Sequence, residues 1–205
     1  LLEAGGEYLR ITATDMERRV VTKAACAPGN LGPVVVPPKA LLATLPTTGY
    51  VDLISSDGHL VAETERSKVT IPAGDARDFP PAPLMMDAQS LGQLNVGLFR
   101  EVAKSAATDV TRPVLMGVYL DGENMVAADG FNMSIAPCPL ATTGIIVPAS
   151  VANLLKVGES AAVKWVPSSV PRLGGIVRIV NGYHTIYAQC IDGTYPAYKQ
   201  LMPTP

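Results

Sequence analysis

Apolar and polar positions alternate along most of this chain in short runs broken by glycine, proline, asparagine and aspartate. That pattern predicts antiparallel strands joined by tight turns. Residues 1–15 open with Leu1-Leu2, pass Gly5-Gly6 and resume through Tyr8, Leu9 and Ile11 to Asp15: strand, turn, strand. Residues 118–129 repeat the plan, with Gly122 at the turn and Asp129 at the end. Val34-Val35-Val36 then runs into Pro37-Pro38-Lys39, as Ile145-Ile146-Val147 runs into Pro148-Ala149-Ser150. Each reads as a buried strand leading to a short helix, because proline suits a helix's first turn. A third echo pairs Asp78-Phe79-Pro80 with Thr194-Tyr195-Pro196. Three matches in one order, at nearly constant offset, read as a duplicated unit.

The two copies are unequal. The second has a front end, 88–114, with no counterpart before Leu1. It predicts a strand over 90–94 and a helix opening at Asn95, a good N-cap. Leu98, Phe99, Val102 and Ala106 recur at helical spacing and make the expected apolar face. Arg100 and Lys104, four residues apart, share another face, with Glu101 nearby. Further strands are expected over 50–54, 60–63 and 68–71, the first two flanking Ser55-Ser56-Asp57-Gly58. Two more, over 176–180 and 183–190, flank Asn181-Gly182, a strong hairpin signal. The join falls at Met85-Met86-Asp87, after a proline-rich stretch. The fold class expected is α+β, with each copy an antiparallel sheet carrying short helices on one face.

Composition narrows the function. Among 205 residues, 48% are hydrophobic and 17% charged, which opposes disorder. No apolar run approaches the ~20 residues of a membrane span. The N-terminus has no initiator methionine, basic n-region or cleavage site, and starts as though in mid-strand. A net charge of −2 argues against coating nucleic acid by bulk attraction, while leaving room for a local basic stripe. Cys26, Cys138 and Cys190 are odd in number and far apart, so three buried thiols in a reducing cytoplasm are expected. No phosphate-binding loop, nucleophile elbow or zinc-binding histidine pair occurs. His59 and His184 lack metal-spaced partners, so no metal or cofactor is expected. Asp15 and Asp129 recur in both copies. An acid–base or metal role is conceivable for such a pair, but a turn-capping role is favoured by the repetition.

The same residues resemble the bacterial DNA polymerase III beta subunits, the sliding clamps. Ala13-Thr14-Asp15-Met16-Glu17 is similar to that family's first-domain "ATDLE" turn, and Ala128-Asp129-Gly130-Phe131 to its second-domain "TDG" turn. Residues 111–118, Thr-Arg-Pro-Val-Leu-Met-Gly-Val, resemble "TRPxLxGV". Residues 191–198 contain Asp192-Gly193-Thr194-Tyr195-Pro196-Ala197-Tyr198, similar to the closing "DGxFPDY". The resemblance implies the DNA clamp fold, with 1–86 a first domain lacking its opening strand and helix, 87–205 a complete second domain, and the third absent. It implies a non-enzymatic, ring-forming processivity factor that encircles duplex DNA independently of sequence.

Inner helices of such a ring carry isolated basic residues that exchange phosphates as it slides. Lys39, Arg100, Lys104 and Lys156 are the candidates, with Arg112 in an adjoining loop. The family also receives short hydrophobic peptides from the replicative polymerase, clamp loader and repair proteins. Carried over by motif, the second-domain wall is Leu115, Ala128, Gly130, Phe131, Asn132, Met133, Pro196, Gln200 and Leu201. Ala128 stands where threonine is usual, and Asn132 and Gln200 where arginine is frequent, so a different peptide preference is implied. The alternative is a clamp-like interaction module that binds partner peptides without encircling DNA.

Overall fold

The computed structural model describes every residue except Thr143, Val157, Glu159, Pro171 and 203–205. It divides into two compact units: Leu1–Met16 with Val21–Ala82, and Glu17–Val20 with Pro83–Pro205.

The first unit begins with β1 (Leu2–Thr14), which doubles back at Gly6, where φ is +74°. Leu1 and Thr12 exchange both backbone hydrogen bonds at 2.8 Å, so the expected strand–turn–strand is present. After β2 (Arg18–Val35), α1 (Pro38–Thr44) follows with proline at its start, as the Pro37-Pro38 pair predicts. Next come β3 (Asp52–Ser56), β4 (His59–Glu63) and β5 (Lys68–Pro72), a three-stranded antiparallel sheet. The β3–β4 corner is Asp57-Gly58, with φ of 48° and 73°, the left-handed pair a two-residue hairpin requires. Tyr50, expected to open β3, lies outside it and is exposed. A short β6 (Gly74–Asp75) pairs with Val34 and Val35, and η1 (Ala76–Asp78), a 3₁₀ turn, ends the unit. The core is small: Leu2, Leu31, Val34, Val36, Leu60 and Ile71.

The second unit starts with β7 (Gln89–Asn95) and α2 (Val96–Ala103). Then come η2 (Pro113–Met116), β8 (Gly117–Leu120), β9 (Asn124–Ala128) and β10 (Met133–Pro137). A second run follows: β11 (Ile145–Pro148), η3 (Ala149–Leu154), β12 (Ser160–Val166), β13 (Ile176–Asn181) and β14 (His184–Gln189). Each run is strand, helix, three strands. The opening strands trade places: β7 completes β12-β13-β14, while β11 completes β8-β9-β10. Neither run therefore has a complete sheet without the other. One core, including Phe99, Leu120, Met125, Val147, Val163, Ile179 and Ile186, joins both sheets with α2 and η3. The last element is η4 (Tyr198–Leu201).

Four expectations are corrected. The buried stripe of α2 is Val96, Phe99 and Val102, whereas Leu98 is 40% exposed. At about 100° per residue, Leu98 is turned away from Phe99; the helix ends before Ala106. The helix after β11 is 3₁₀, with Pro148 at its N-cap. In the β13–β14 hairpin Asn181 pairs with His184, so Gly182-Tyr183 forms the corner. Asn181 is fully buried, and its Oδ1 accepts the Lys156 N–H at 2.6 Å. Cys138 and Cys190 are buried, but Cys26 is only half-buried.

Candidate functional site

Two regions of the second unit gather the candidate residues. The first is an aromatic and aliphatic cluster below the β9–β10 turn. Ala107, Leu115, Val126, Ile146, Tyr195 and Tyr198 are its buried members, with Val114, Tyr119, Met133, Ile135 and Ile191 packed against them. Tyr119 stacks on Tyr195, with ring centroids 4.9 Å apart and planes 7° from parallel, and meets Tyr198 edge-on at 6.5 Å. Such geometries suit the ring quadrupoles and rigidify the cluster. Burial pushes the Tyr195 hydroxyl up to about 12. Of the predicted wall, Leu115 and Met133 thus join one cluster, Leu115 buried and Met133 half-buried.

The turn above this cluster is built by Asp129. Its Oδ1 accepts the N–H groups of Phe131 and Asn132, both at 2.7 Å. Those bonds hold the carboxyl below its usual range and fit the turn-capping expectation. In the first unit, Thr14 Oγ1 accepts the Met16 N–H at 3.1 Å at the corresponding turn. Gly130, at φ +96°, completes the turn. It presents Phe131 to solvent, 92% exposed. Leu201, in η4, is 73% exposed. Ala128 is half-buried, while Asn132, Pro196 and Gln200 are exposed. Large apolar side chains exposed in this way suit capture of apolar peptide anchors.

Arg112 belongs to this region too. A Cβ on Gly130 would come within 2.8 Å of Arg112 Nη1, so the guanidinium lies against the turn. Its Nε is 3.4 Å from Asp109 Oδ2. This position of Arg112, beside a turn 18 residues along the chain, leaves no local signal in the sequence.

The second region lies between α2 and η3. A cavity of about 700 Å³ is bordered there by Arg18, Arg100, Lys104 and Glu17, with Ser150 and Asn153 across from α2. Arg100 differs from expectation. Its Nη1 donates to the carbonyls of Ala152 and Leu155, both at 2.9 Å. It ties the end of η3 to α2; the Ala152 carbonyl also accepts the Leu155 N–H. Lys104 is exposed, 2.7 Å from Glu101 Oε2. Lys156 follows η3 instead of lying in a helix, and Lys39 is exposed in α1 of the first unit. Among the described residues, no group of three or more His, Cys, Asp or Glu comes together to hold a metal. No described helix is long and apolar enough to cross a membrane.

No family model matches the chain. It is similar to the beta sliding clamp of Synechocystis sp., 27% identical over 238 residues, covering 99% of this chain and 61% of that protein. The beta sliding clamp of Caulobacter vibrioides is 26% identical over 229 residues, covering 99% and 60%. Among solved structures, the DNA polymerase sliding clamp of Pseudomonas aeruginosa superposes with a TM-score of 0.77 at 21% identity, covering 98% of this chain and 59% of that one. The Helicobacter pylori beta clamp, solved with a DNA ligase peptide, gives 0.78 at 19% identity, covering 100% and 61%. The fold is therefore that of the sliding clamps, and the chain spans about 60% of the length of the curated relatives it matches.

Proposed function

We propose that this chain, similar to beta sliding clamps over almost its whole length, works as part of a ring that encircles duplex DNA in the cytoplasm. In this reading it is a non-catalytic processivity factor for the replicative polymerase. The observation that carries the reading is similarity over 99% of the chain coinciding with a duplicated clamp unit. A ring retains DNA by topology, so its phosphate contacts must be weak enough to exchange during sliding. Arg18 and Lys104, bordering the α2–η3 cavity, suit such contacts. Arg100 supports η3 instead.

Residues 1–86 are read as belonging to a first clamp domain, and 87–205 to a second. Support comes from comparing the units. In the second, β12 pairs with β7, and η3 buries Val151 and Ala152. In the first, β3 is an edge strand, α1 buries none of its residues, and Leu42 and Ile54 are 68% and 51% exposed. Peptide docking is assigned to the Tyr119–Tyr195 cluster and the exposed Phe131 and Leu201. The partners in this reading are short peptides of polymerase, loader and repair proteins, which the Helicobacter pylori clamp solved with a DNA ligase peptide supports.

The test is retention on DNA. Assembled rings should stay on nicked circular DNA in high salt and run off after linearisation. Equal loss from both forms as salt rises would mean ordinary electrostatic binding. A persistent monomer that binds a hydrophobic peptide but is never retained on circles would favour the interaction-module alternative.

A further inference from the structure

A polar clasp ties the closing turn of the chain to the β8–β9 turn, 77 residues away. Tyr198 Oη donates to Asp121 Oδ2 at 2.5 Å. Lys199 Nζ lies 3.3 Å from that oxygen and 3.2 Å from Glu123 Oε2. The other carboxylate oxygen, Oδ1, accepts the N–H groups of Glu123 and Asn124 at 2.9 and 2.7 Å. The Asp121 side chain is only 8% exposed. The β8–β9 turn needs Oδ1 alone. Oδ2 is committed to η4.

Burying a carboxylate is unfavourable unless its partners satisfy it. Here the partners are the first two residues of η4, whose far end carries Gln200 and the exposed Leu201. Two backbone bonds of this segment are local: Tyr198 N to Pro196 O, and Gln200 N to Ala197 O. Its ring contact, Tyr198 on Tyr119, connects it to the cluster that includes Leu115 and Met133. We infer that Asp121 is a positioning residue of the peptide site. Acting through Tyr198 and Lys199, it holds η4 as a fixed wall, so that Leu201 and Gln200 are ordered before a peptide arrives. A pre-ordered wall spares the peptide the entropy of ordering it. The inference rests on the peptide-docking reading and adds how that site is kept in shape.

Tyr198→Phe tests it, because the ring is kept and only the hydroxyl lost. The probe is a hexapeptide with leucine and phenylalanine anchors, titrated against the full chain by ¹H–¹⁵N chemical-shift mapping. Binding should weaken about tenfold, the scale of ordering one or two side chains. Amide hydrogen exchange should quicken at 199–202 and stay unchanged at 124–128. Lys199→Met, at an exposed position that endangers folding little, should shift both readouts the same way, and Lys199→Arg should restore them. Unchanged peptide affinity in Tyr198→Phe would overturn the positioning role. So would exchange that quickens throughout the second unit, which would make the clasp a matter of general stability. If the unaltered chain binds no peptide, the docking reading itself falls, and the inference with it.

Discussion

Replacing Arg100 by methionine separates two roles for a basic residue on a clamp helix. Methionine keeps an unbranched apolar stem and removes the guanidinium. Lost with it are the two bonds from Nη1 to Ala152 O and Leu155 O. A hydrogen bond made by a charged group contributes about 1.5–3 kcal/mol, and the Ala152 carbonyl keeps the Leu155 N–H. Both bonds leave one nitrogen and the site is only partly buried, so they do not simply add; about 2–3 kcal/mol is the expected loss. With a urea m-value of about 2 kcal/mol/M, the midpoint should fall by roughly 1–1.5 M. Urea unfolding followed by circular dichroism measures it. Lys104→Met is the control: its ion pair with Glu101 has both side chains 69% exposed, and exposed pairs contribute at most about 1 kcal/mol. A midpoint within about 0.3 M of the parent for Arg100→Met, accompanied by weakened DNA retention, would refute the strut assignment and make Arg100 a phosphate contact.

Three further outcomes are expected. Phe99→Ala removes a fully buried ring from the core shared by both sheets and should destabilise the second unit by about 3–5 kcal/mol in the same urea assay. Although burial alone would raise it, hydrogen bonds from Tyr198 and the backbone of Asn124 and Glu123 bring the Asp121 carboxyl down to about 2. Its folded pKa lies below its unfolded one, so its stabilisation is full above about pH 4 and lost as pH falls toward 2. Asp121→Asn should therefore flatten acid unfolding across that window, and an unaltered acid limb would contradict it. Burial pushes the Cys138 and Cys190 thiols up to about 11 and 12, so iodoacetamide at pH 8 should label Cys26 first, as peptide mass mapping would reveal.

Much of the fold is legible locally. Alternation with period two marks which side of a strand is apolar, and Asp57-Gly58 and Asn95 name their own turn and cap because the chemistry acts within three residues. The repeated motifs of the two halves are legible for the same reason, since each is a local signal. The candidate site is legible only in outline. Motif resemblance picks out Leu115, Met133 and Leu201, but it is silent on Arg112 resting against Gly130 and on Asp121 meeting Tyr198. It also leaves Arg100 among the DNA-facing residues, although its partners are carbonyls 52 and 55 residues away.

What the amino-acid order settles alone is therefore many of the strands, the α2 cap and turns such as Asp57-Gly58, because each depends on neighbours along the chain. Folding in three dimensions decides that β7 and β11 change sheets, that Arg100 supports η3, and that an aspartate in one turn grips a tyrosine in another. Periodicity reports that a face is apolar or a side chain is charged. It carries no information about which distant surface will meet it, since that depends on the packing of the whole unit.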